Sequence, residues 1–442
     1  MFAASSLRCL LPLLVLPAPA LSEPVLPDCR AGAPTFCLLS DPDAPRALVA
    51  LTLPVGAADE GPGEHGIAHY LEHLAFRGRD VEAEEMASAG AGIDRFGNAH
   101  TGSWATTYHW TVPPDRAAEA VGRAMAVLSP LEVVADAAAQ ERAIVARERE
   151  QRKDSPAARD GLAMDAALYA ETPLARSVIG TARDIDALAL QAARAFHDRH
   201  YDPATAIVVV AGDVHWSDVG DLAGRGKAMP RRIPDLHLLP ADPHRMTRRD
   251  AVQRPERWQV SLFDLTRGQD TRAALSVADA YLASSLPNAP APALVRGRDD
   301  TLDAWAEIHE VVPGLGALAV GVVLRPGREP ADLDAPWAAW NVLREDLIRS
   351  GLDAATVTRL KDRMVRDEAH DREDGIAAAW SLIGAIEAGD DVADWVAWPD
   401  RLAAVEAPDV AEIFAALADS RRIVTLDTLP RGTPAAPEVQ TQ

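Results

Sequence analysis

Residues 66–78 decide the fold around the candidate site, and they read Gly66-Ile67-Ala68-His69-Tyr70-Leu71-Glu72-His73-Leu74-Ala75-Phe76-Arg77-Gly78. At about 100° per residue, Ile67, Leu71 and Leu74 form one apolar stripe of a helix. The polar residues of the stretch lie on the opposite side. We therefore predict an amphipathic helix that packs one face into a core and presents the other to a site.

The polar side of this helix carries the pattern H-x-x-E-H as His69, Glu72 and His73. Histidines four residues apart on one face are separated by roughly 6 Å, which suits a tetrahedral Zn²⁺ with nitrogen ligands near 2 Å. Glu72 lies beside the pair, where it could take a proton from water. The alternative is an ordinary helix whose histidines are surface or hydrogen-bonded core residues.

A second helix, predicted over residues 137–151, offers the third ligand. Glu141 and Glu148 are seven residues apart and fall together on the buried stripe, whereas Glu150 points away from it. A carboxylate on a buried stripe needs a partner or a metal. We predict that Glu148 is the third metal ligand and that Glu141 orients the histidines.

Two other histidines, His100 and His109, fall in strand-like runs. Neither belongs to the pair of histidines on one helical turn. We predict that both are hydrogen-bonded strand residues rather than ligands.

Composition sets limits on the class of protein. The chain has 442 residues, of which 48% are hydrophobic and 25% charged, enough for two or three cores, and two large domains are expected. The formal charge of −22 argues against nucleic-acid binding, which needs clustered Lys and Arg. The charge would keep a secreted protein soluble, or attract basic peptides.

The first 22 residues resemble a secretory signal. Arg8 is followed by a short apolar run at residues 9–17 and a small-x-small site at residues 20–22. The run is too short to span a bilayer, and we expect no membrane span after its removal. The predicted location is a bacterial periplasm or the outside of the cell.

Three cysteines are present, and Cys9 would leave with the signal. Cys29 and Cys37 would then remain in an oxidising compartment, where an even pair favours a local disulfide. A zinc role for them would require two more soft ligands nearby, and none is there.

Taken together, these motifs resemble the pitrilysin and insulinase family of zinc metallopeptidases, in its short two-domain branch similar to the mitochondrial processing peptidase. The inverted motif at residues 69–73 is followed after 74 residues by Glu148 in an Arg- and Glu-rich helix. Further matches stand in the family's order, at residues 56–60, 98–101, 180–181, 200–203 and 208–214. The resemblance covers nearly the whole N-terminal half.

The resemblance implies an α+β fold of two duplicated domains, each a mostly antiparallel sheet covered by helices, facing each other across a chamber. An internal repeat agrees with this, because a helix at residues 190–199 precedes the strand at 207–210 as a helix at 409–418 precedes the strand at 422–426. The predicted bounds are 23–227 for the zinc-bearing domain, 228–255 for a linker, 256–432 for the second domain and 433–442 for a flexible tail.

The family's chemistry would be hydrolysis of peptides or unfolded polypeptides by one Zn²⁺ per chain, with Glu72 as the general base. His69, His73 and Glu148 would hold the ion. Asn98 and Ala99 would bind substrate as an added β-strand.

One departure from the family concerns an Arg and a Tyr seven residues apart that help to hold substrate. Here Arg298 has the right context, but Trp305 stands where the Tyr is expected, and an indole has no hydroxyl. A partner chain could supply the pair, so we expect either a homodimer or a heterodimer with a non-catalytic homologous subunit. Alternatively, Arg298 is a surface residue and Trp305 a core residue.

Two other functions fit the same sequence. One is a non-catalytic, peptide-binding or scaffolding subunit of the same fold, although the intact Glu72 argues against it. The other is a different metal hydrolase or a storage protein that uses the same three ligands.

Overall fold

The computed structural model describes residues 23–77, 97–219, 233, 236, 238–286 and 288–433. The predicted signal at 1–22 and the predicted tail beyond residue 433 lie outside the described residues. The strands are β1 (Asp28–Arg30), β2 (Thr35–Ser40), β3 (Ala47–Leu53), β4 (Gly97–Thr101), β5 (Thr106–Val112), β6 (Ile207–Gly212), β7 (His244–Asp250), β8 (Glu256–Asp264), β9 (Thr301–Val312), β10 (Leu315–Leu324) and β11 (Arg422–Pro430).

The described α-helices lie mostly between these strands and after β10. They are α1 (Ile67–Arg77), α2 (Ala117–Val127), α3 (Ala135–Asp154), α4 (Pro156–Leu168), α5 (Ala182–Ala187), α6 (Leu190–His200), α7 (Trp216–Val219), α8 (Gln269–Leu282), α9 (Pro290–Val295), α10 (Asp334–Ser350), α11 (Ala354–Asp371), α12 (Gly375–Glu387), α13 (Val392–Ala404) and α14 (Ala407–Ala416). No helix in this part of the chain is long and apolar enough to span a membrane.

The two sheets share one topology. The first has the order β1-β2-β6-β3-β5-β4 and the second the order β7-β11-β8-β10-β9. β2 runs parallel to β6, and β7 runs parallel to β11, whereas all other neighbours are antiparallel. The second sheet therefore repeats the first strand for strand, with β1 as an addition. The predicted α+β fold of two duplicated halves is confirmed.

The boundary of the second half differs from the prediction. Residues 228–255 were expected to form a linker, but β7 lies within this range and pairs in parallel with β11. Its sequence, with four Arg or His among seven residues, has no buried apolar face that would mark a strand. An edge position explains this composition, because an edge strand needs less apolar surface and tolerates charge. The second half therefore begins with β7.

The first sheet is buried on both faces. One face packs against α1, α2 and α6 in a continuous core. The other face is covered by a helix of the second half, because Leu382 and Ile383 of α12 pack on Leu39 and Val209. Burial on both sides explains why all seven residues of β3 are buried and nearly all of them are apolar.

The second sheet is also covered on both faces, by helices of its own half and by a helix of the first half. Its one face packs against α8, α10 and α14 of its own half. Its other face receives Met164 and Leu168 of α4, a helix that belongs in sequence to the first half. Each half thus completes the core of the other.

The packing of α12 on the first sheet predicts how shortening one of its side chains changes the free energy of unfolding. Leu382→Ala removes a fully buried side chain of the second half from the core of the first sheet. We expect the free energy of unfolding to fall by about 2–5 kcal/mol. We also expect both halves to unfold in a single transition in urea, followed by circular dichroism. Val342→Ala, at a position that is 67% exposed, is the control. Equal effects of the two variants would contradict the packing.

Candidate metal centre

Helix α1 begins at a backbone turn that glycine permits. Gly66 has φ +85°, and a Cβ at this position would approach the carbonyl oxygen of Ile179 to 2.7 Å. The buried Glu60 carboxylate then accepts hydrogen bonds from the backbone N–H groups of Gly66 and Ala68, at 3.0 and 3.1 Å. A negative group at this position satisfies free N–H groups and complements the helix dipole. Glu60 therefore anchors the start of the helix that carries the histidines.

The apolar face of α1 is arranged as predicted. Ile67, Leu71 and Leu74 are at most 1% exposed in the core of the first half. Tyr70 links α1 to α3, because its hydroxyl donates a 2.7 Å hydrogen bond to the carbonyl of Ala138 on α3. The contact sets α1 against α3, and the carboxylates of α3 lie next to the histidines.

The three candidate metal ligands His69, His73 and Glu148 lie close together between α1 and α3. Oε2 of Glu148 lies 3.7 Å from Nε2 of His69 and 3.5 Å from Nε2 of His73. Oε2 of Glu141 lies 3.2 Å from Nδ1 of His73. This contact lets His73 donate from Nδ1, which leaves its Nε2 free as an acceptor or ligand. Glu150 points outward and pairs with Arg149 instead.

The spacing fits a zinc ion. Ligands near 2 Å from a tetrahedral ion lie about 3.3 Å from one another, close to the 3.5 and 3.7 Å separations of Glu148 from the histidines. Two imidazole nitrogens and a carboxylate are also a ligand set that catalytic zinc sites use. The buried Nδ1 of His69 has no hydrogen-bond partner in the described structure.

If distance were the only criterion, Glu72 would be an alternative to Glu148 as the third ligand. The donor atoms of His69, Glu72 and His73 all lie within 4.8 Å of one another. We favour Glu148, because its separations match a tetrahedral edge and its other oxygen is held by Arg152 at 2.9 Å. Glu72 is instead engaged through Oε2 by the hydroxyl of Thr101, which donates at 2.5 Å.

Burial sets the protonation of the site. It lowers the pKa of His69 to about 4, and the nearby His73 acts in the same direction while Glu148 opposes it. His69 is therefore neutral near pH 7, as a metal ligand must be. Burial also raises the pKa of Glu72, against the hydrogen bond from Thr101. A carboxyl with a raised pKa is a better proton acceptor than an exposed one.

A cavity of about 470 Å³ opens over these groups. One wall is β4, the edge strand of the first sheet, which within the described residues pairs only with β5. Asn98 and Ala99 of β4 line the cavity, as do Ile144 and Arg147 of α3. The Asn98 side chain accepts from the Ala99 N–H at 2.9 Å and so folds back on its own strand.

The other predicted residues are engaged in contacts outside the group of His69, His73 and Glu148. Arg298 is not among the residues that line this cavity, and its guanidinium makes two hydrogen bonds to Asp300, at 2.9 and 2.6 Å. His100 lines the cavity but pairs with Glu387 of α12 at 2.7 Å, and the ring of His109 makes an edge-to-face contact with Trp380 of the same helix, with centroids 4.7 Å apart.

The two cysteines of the first half form a disulfide. Cys29 and Cys37 face each other across the β1–β2 pair, where the structure joins them. The bond closes the hairpin at the start of the first sheet, away from the cavity.

Sequence reasoning missed three residues that support the site. Arg152 follows Glu148 by four residues, a spacing that could have indicated the pair. Thr101 and Glu60 had been seen only as parts of family matches, and Glu60 carried no local signal of its capping role. Its capping contacts span six and eight residues, which no capping-box pattern covers.

Comparison with known proteins identifies the class. A model of the insulinase family, peptidase family M16, matches residues 35–182. An uncharacterised zinc protease of Mycobacterium leprae is 30% identical over 299 residues, which are 64% of this chain and 65% of that protein. The matched segment thus spans less than two thirds of that relative. Residues 35–182 form an insulinase-family domain, and the chain is a homologue of zinc proteases.

Solved structures agree on the fold. A protease from Helicobacter pylori superposes with a TM-score of 0.76 at 19% identity, covering 92% of this chain and all of that one. A structure described as an inactive M16 peptidase domain from Pseudomonas fluorescens superposes with a TM-score of 0.73 at 14% identity, covering 93% of this chain and all of that one. The same two-sheet fold therefore occurs in a protease and in a domain described as inactive.

The Glu60 contact predicts a pH dependence of stability. Burial raises the pKa of Glu60 from 4.5 to about 7, so the folded state binds this proton more tightly than the unfolded chain. The resulting stabilisation is complete below pH 4.5 and is lost as the pH rises through about 7. Between pH 5 and 8 we expect a loss of about 2 kcal/mol from this group.

Glu60→Gln should remove that part of the pH dependence. The measurement is the free energy of unfolding in urea at pH 5, 6, 7 and 8 for both proteins, with the exposed Glu150→Gln as control. The readout is the slope against pH rather than the absolute stability, because the amide also alters the helix contacts. An unchanged slope in Glu60→Gln would show that the group does not titrate in this range.

Proposed function

We propose that this chain is a zinc-dependent endopeptidase that cleaves peptides or unfolded polypeptides, with Glu72 as the general base. The observation that carries the proposal is the approach of one Glu148 oxygen to within 3.5 and 3.7 Å of both histidine nitrogens. Glu72 lies beside them without filling the Glu148 position. The homologues named zinc proteases support the same chemistry.

Each residue has a distinct task in this proposal. His69, His73 and Glu148 bind the ion, and Glu141 fixes the ring of His73. When bound, zinc supplies Lewis acidity for the scissile carbonyl and for water. Glu72 accepts the proton of the attacking water and returns it to the leaving amine.

The edge strand suits a peptide substrate. An extended peptide can add to β4 through backbone hydrogen bonds, which give affinity with little sequence readout. Asn98 and Ala99 would then lie beside the scissile segment. Since Thr101 of the same strand holds Glu72 at 2.5 Å, substrate and base would be positioned by one element.

A second candidate is a non-catalytic peptide-binding subunit of the same fold. Its support is the second half, where Trp305 replaces the expected Tyr and Arg298 is already paired with Asp300. The relative described as an inactive domain has this fold too. The intact H-x-x-E-H set favours the peptidase, and a dimer with a homologous subunit would reconcile both.

We also propose export to a periplasm or the cell exterior. The signal-like first 22 residues and the Cys29–Cys37 disulfide support it, since such bonds persist in oxidising compartments. N-terminal sequencing of the protein from its native host would detect the removal of the leader.

Removal of the third ligand should release the metal. Glu148→Gln keeps the shape of the side chain but loses the anionic donor, so we expect zinc well below one ion per chain by elemental analysis. Glu141→Gln should weaken zinc binding by about 10–100-fold. Glu150→Gln, on the exposed side of the same helix, is the matched control and should keep the ion. Loss of zinc in Glu150→Gln but not in Glu148→Gln would refute the ligand assignment.

Removal of the base should separate binding from chemistry. Glu72→Gln should retain zinc and lose cleavage of a quenched peptide by about 10²–10⁴-fold, because proton transfer then lacks its acceptor. The control is zinc content measured on the same sample. If cleavage stays at the level of the unmodified protein, Glu72 is not the base; if zinc is lost, it is a ligand.

A further inference from the structure

A second cavity lies where the two halves meet. It has a volume of about 520 Å³ and we call it the junction pocket. Its floor is the outer face of the second sheet, and one wall is the start of α4. The lining residues are Ser155, Pro156, Ala157, Asp160, Val252, Glu256, Arg257, Trp258, Trp305, Gly321, Val322, Val323, Leu426 and Thr428. Volumes of about 300–1,000 Å³ are typical of ligand sites.

Two tryptophans on either side of Gly321 form the floor of the junction pocket. Trp305, Gly321, Trp258 and Leu426 occupy one row across β9, β10, β8 and β11. A Cβ at position 321 would lie 2.2 Å from the Trp305 indole, so the missing side chain of Gly321 is what lets that ring lie flat on the sheet. The two indole centroids are 6.3 Å apart, and Trp305 is 37% exposed.

This exposure is unusual for the sheet face concerned. Farther along the same face, Met164 and Leu168 of α4 are buried in one cluster with residues of the sheet. Trp258 still packs against this cluster, whereas Trp305 lies outside it, beside the first turn of α4. An aromatic surface left open inside a concave wall is more often a binding site than a packing defect.

The polar groups of the junction pocket restrict the charge of an occupant. Asp160 accepts from Thr428 at 3.0 Å and pairs with Arg248, while Arg257 is buried and pairs with Asp427 at 2.7 Å. Glu256 adds a second carboxylate to the lining. Each ion pair neutralises its carboxylate as well as its arginine, so the pocket offers mainly apolar surface, with Glu256 as the carboxylate that would repel an acidic side chain.

The junction pocket and the cavity of the candidate metal centre both border α3. Arg152 lines the metal-centre cavity, and Ser155, at the end of α3, lines the junction pocket. Glu148 and Ser155 are seven residues apart, which is about 10 Å along a helix. An extended peptide covers this distance in about three residues.

We propose that the junction pocket is a specificity site that takes an aromatic or large aliphatic side chain of the peptide substrate, about three residues from the scissile bond. The proposal rests on the peptidase function above. Trp305 and Trp258 would stack on the side chain, and Gly321 would keep the Trp305 indole in place. Trp305, which occupies the position of the expected Tyr, would thus act in side-chain selection.

The test compares quenched peptides that differ at a single position, with Ala, Phe or Glu placed one to six residues from the cleaved bond. With the unmodified holoenzyme we expect one position, about three residues away, at which Phe raises kcat/KM about tenfold or more over Ala. Glu at that position should be the poorest of the three. Trp305→Ala and Gly321→Ala should each bring the Phe-to-Ala ratio near one.

Trp216→Ala is the matched control, because it removes an indole that lines neither cavity and should keep the ratio. A binding measurement runs in parallel on zinc-loaded Glu72→Gln, with fluorescently labelled Phe and Ala peptides and anisotropy as the readout. We expect tighter binding of the Phe peptide, and loss of this difference when Trp305→Ala is added.

The two measurements separate the two proposals. If the unmodified protein cleaves no peptide while the binding difference depends on Trp305, the peptidase proposal fails and the junction pocket stands. If peptides are cleaved but neither the ratio nor the binding difference changes in Trp305→Ala and Gly321→Ala, the junction pocket is refuted and the peptidase stands.

Discussion

The structure depends on one packing arrangement, in which each half contributes a helix that covers the sheet of the other half. Helix α12 of the second half closes the first sheet, and α4 of the first half closes the second. Each sheet would otherwise expose an apolar face, and a buried Leu or Ile is worth about 1.5–3 kcal/mol relative to an exposed one. The backbone N–H of Gly375 adds a polar tie, donating to Asp41 of the first half at 3.0 Å.

The same packing arrangement also places the candidate metal centre. Helix α3 ends at Asp154 and α4 begins at Pro156, so the helix that carries Glu148 continues into the helix that docks on the second sheet. The position of Glu148 relative to the histidines therefore depends on packing in both halves. The α1–α3 contact through Tyr70 fixes the other side of the same arrangement.

Much of the site could be predicted because it follows helical periodicity. The stripe of Ile67, Leu71 and Leu74 and the outward direction of Glu150 needed only the angle per residue. Glu148 proved to be less buried than its stripe suggested, since its side chain is 32% exposed at the cavity. β7 was missed because its charged sequence has no strand pattern. The role of Glu60 was missed because the N–H groups that it accepts from lie six and eight residues later in the chain.

The amino-acid sequence by itself determined the pair of histidines on one helical turn and the side of α3 that faces them, while the family resemblance and an internal repeat implied the α+β duplication. The histidine pair and the side of α3 that faces it are local features, because helical periodicity acts over a few residues. Only the tertiary structure decided which helix covers which sheet, that Arg298 is paired with Asp300, and that the Trp305 indole is left exposed in the pocket beside α4. Such contacts join residues far apart in the chain, and the packing that selects them has no local signal.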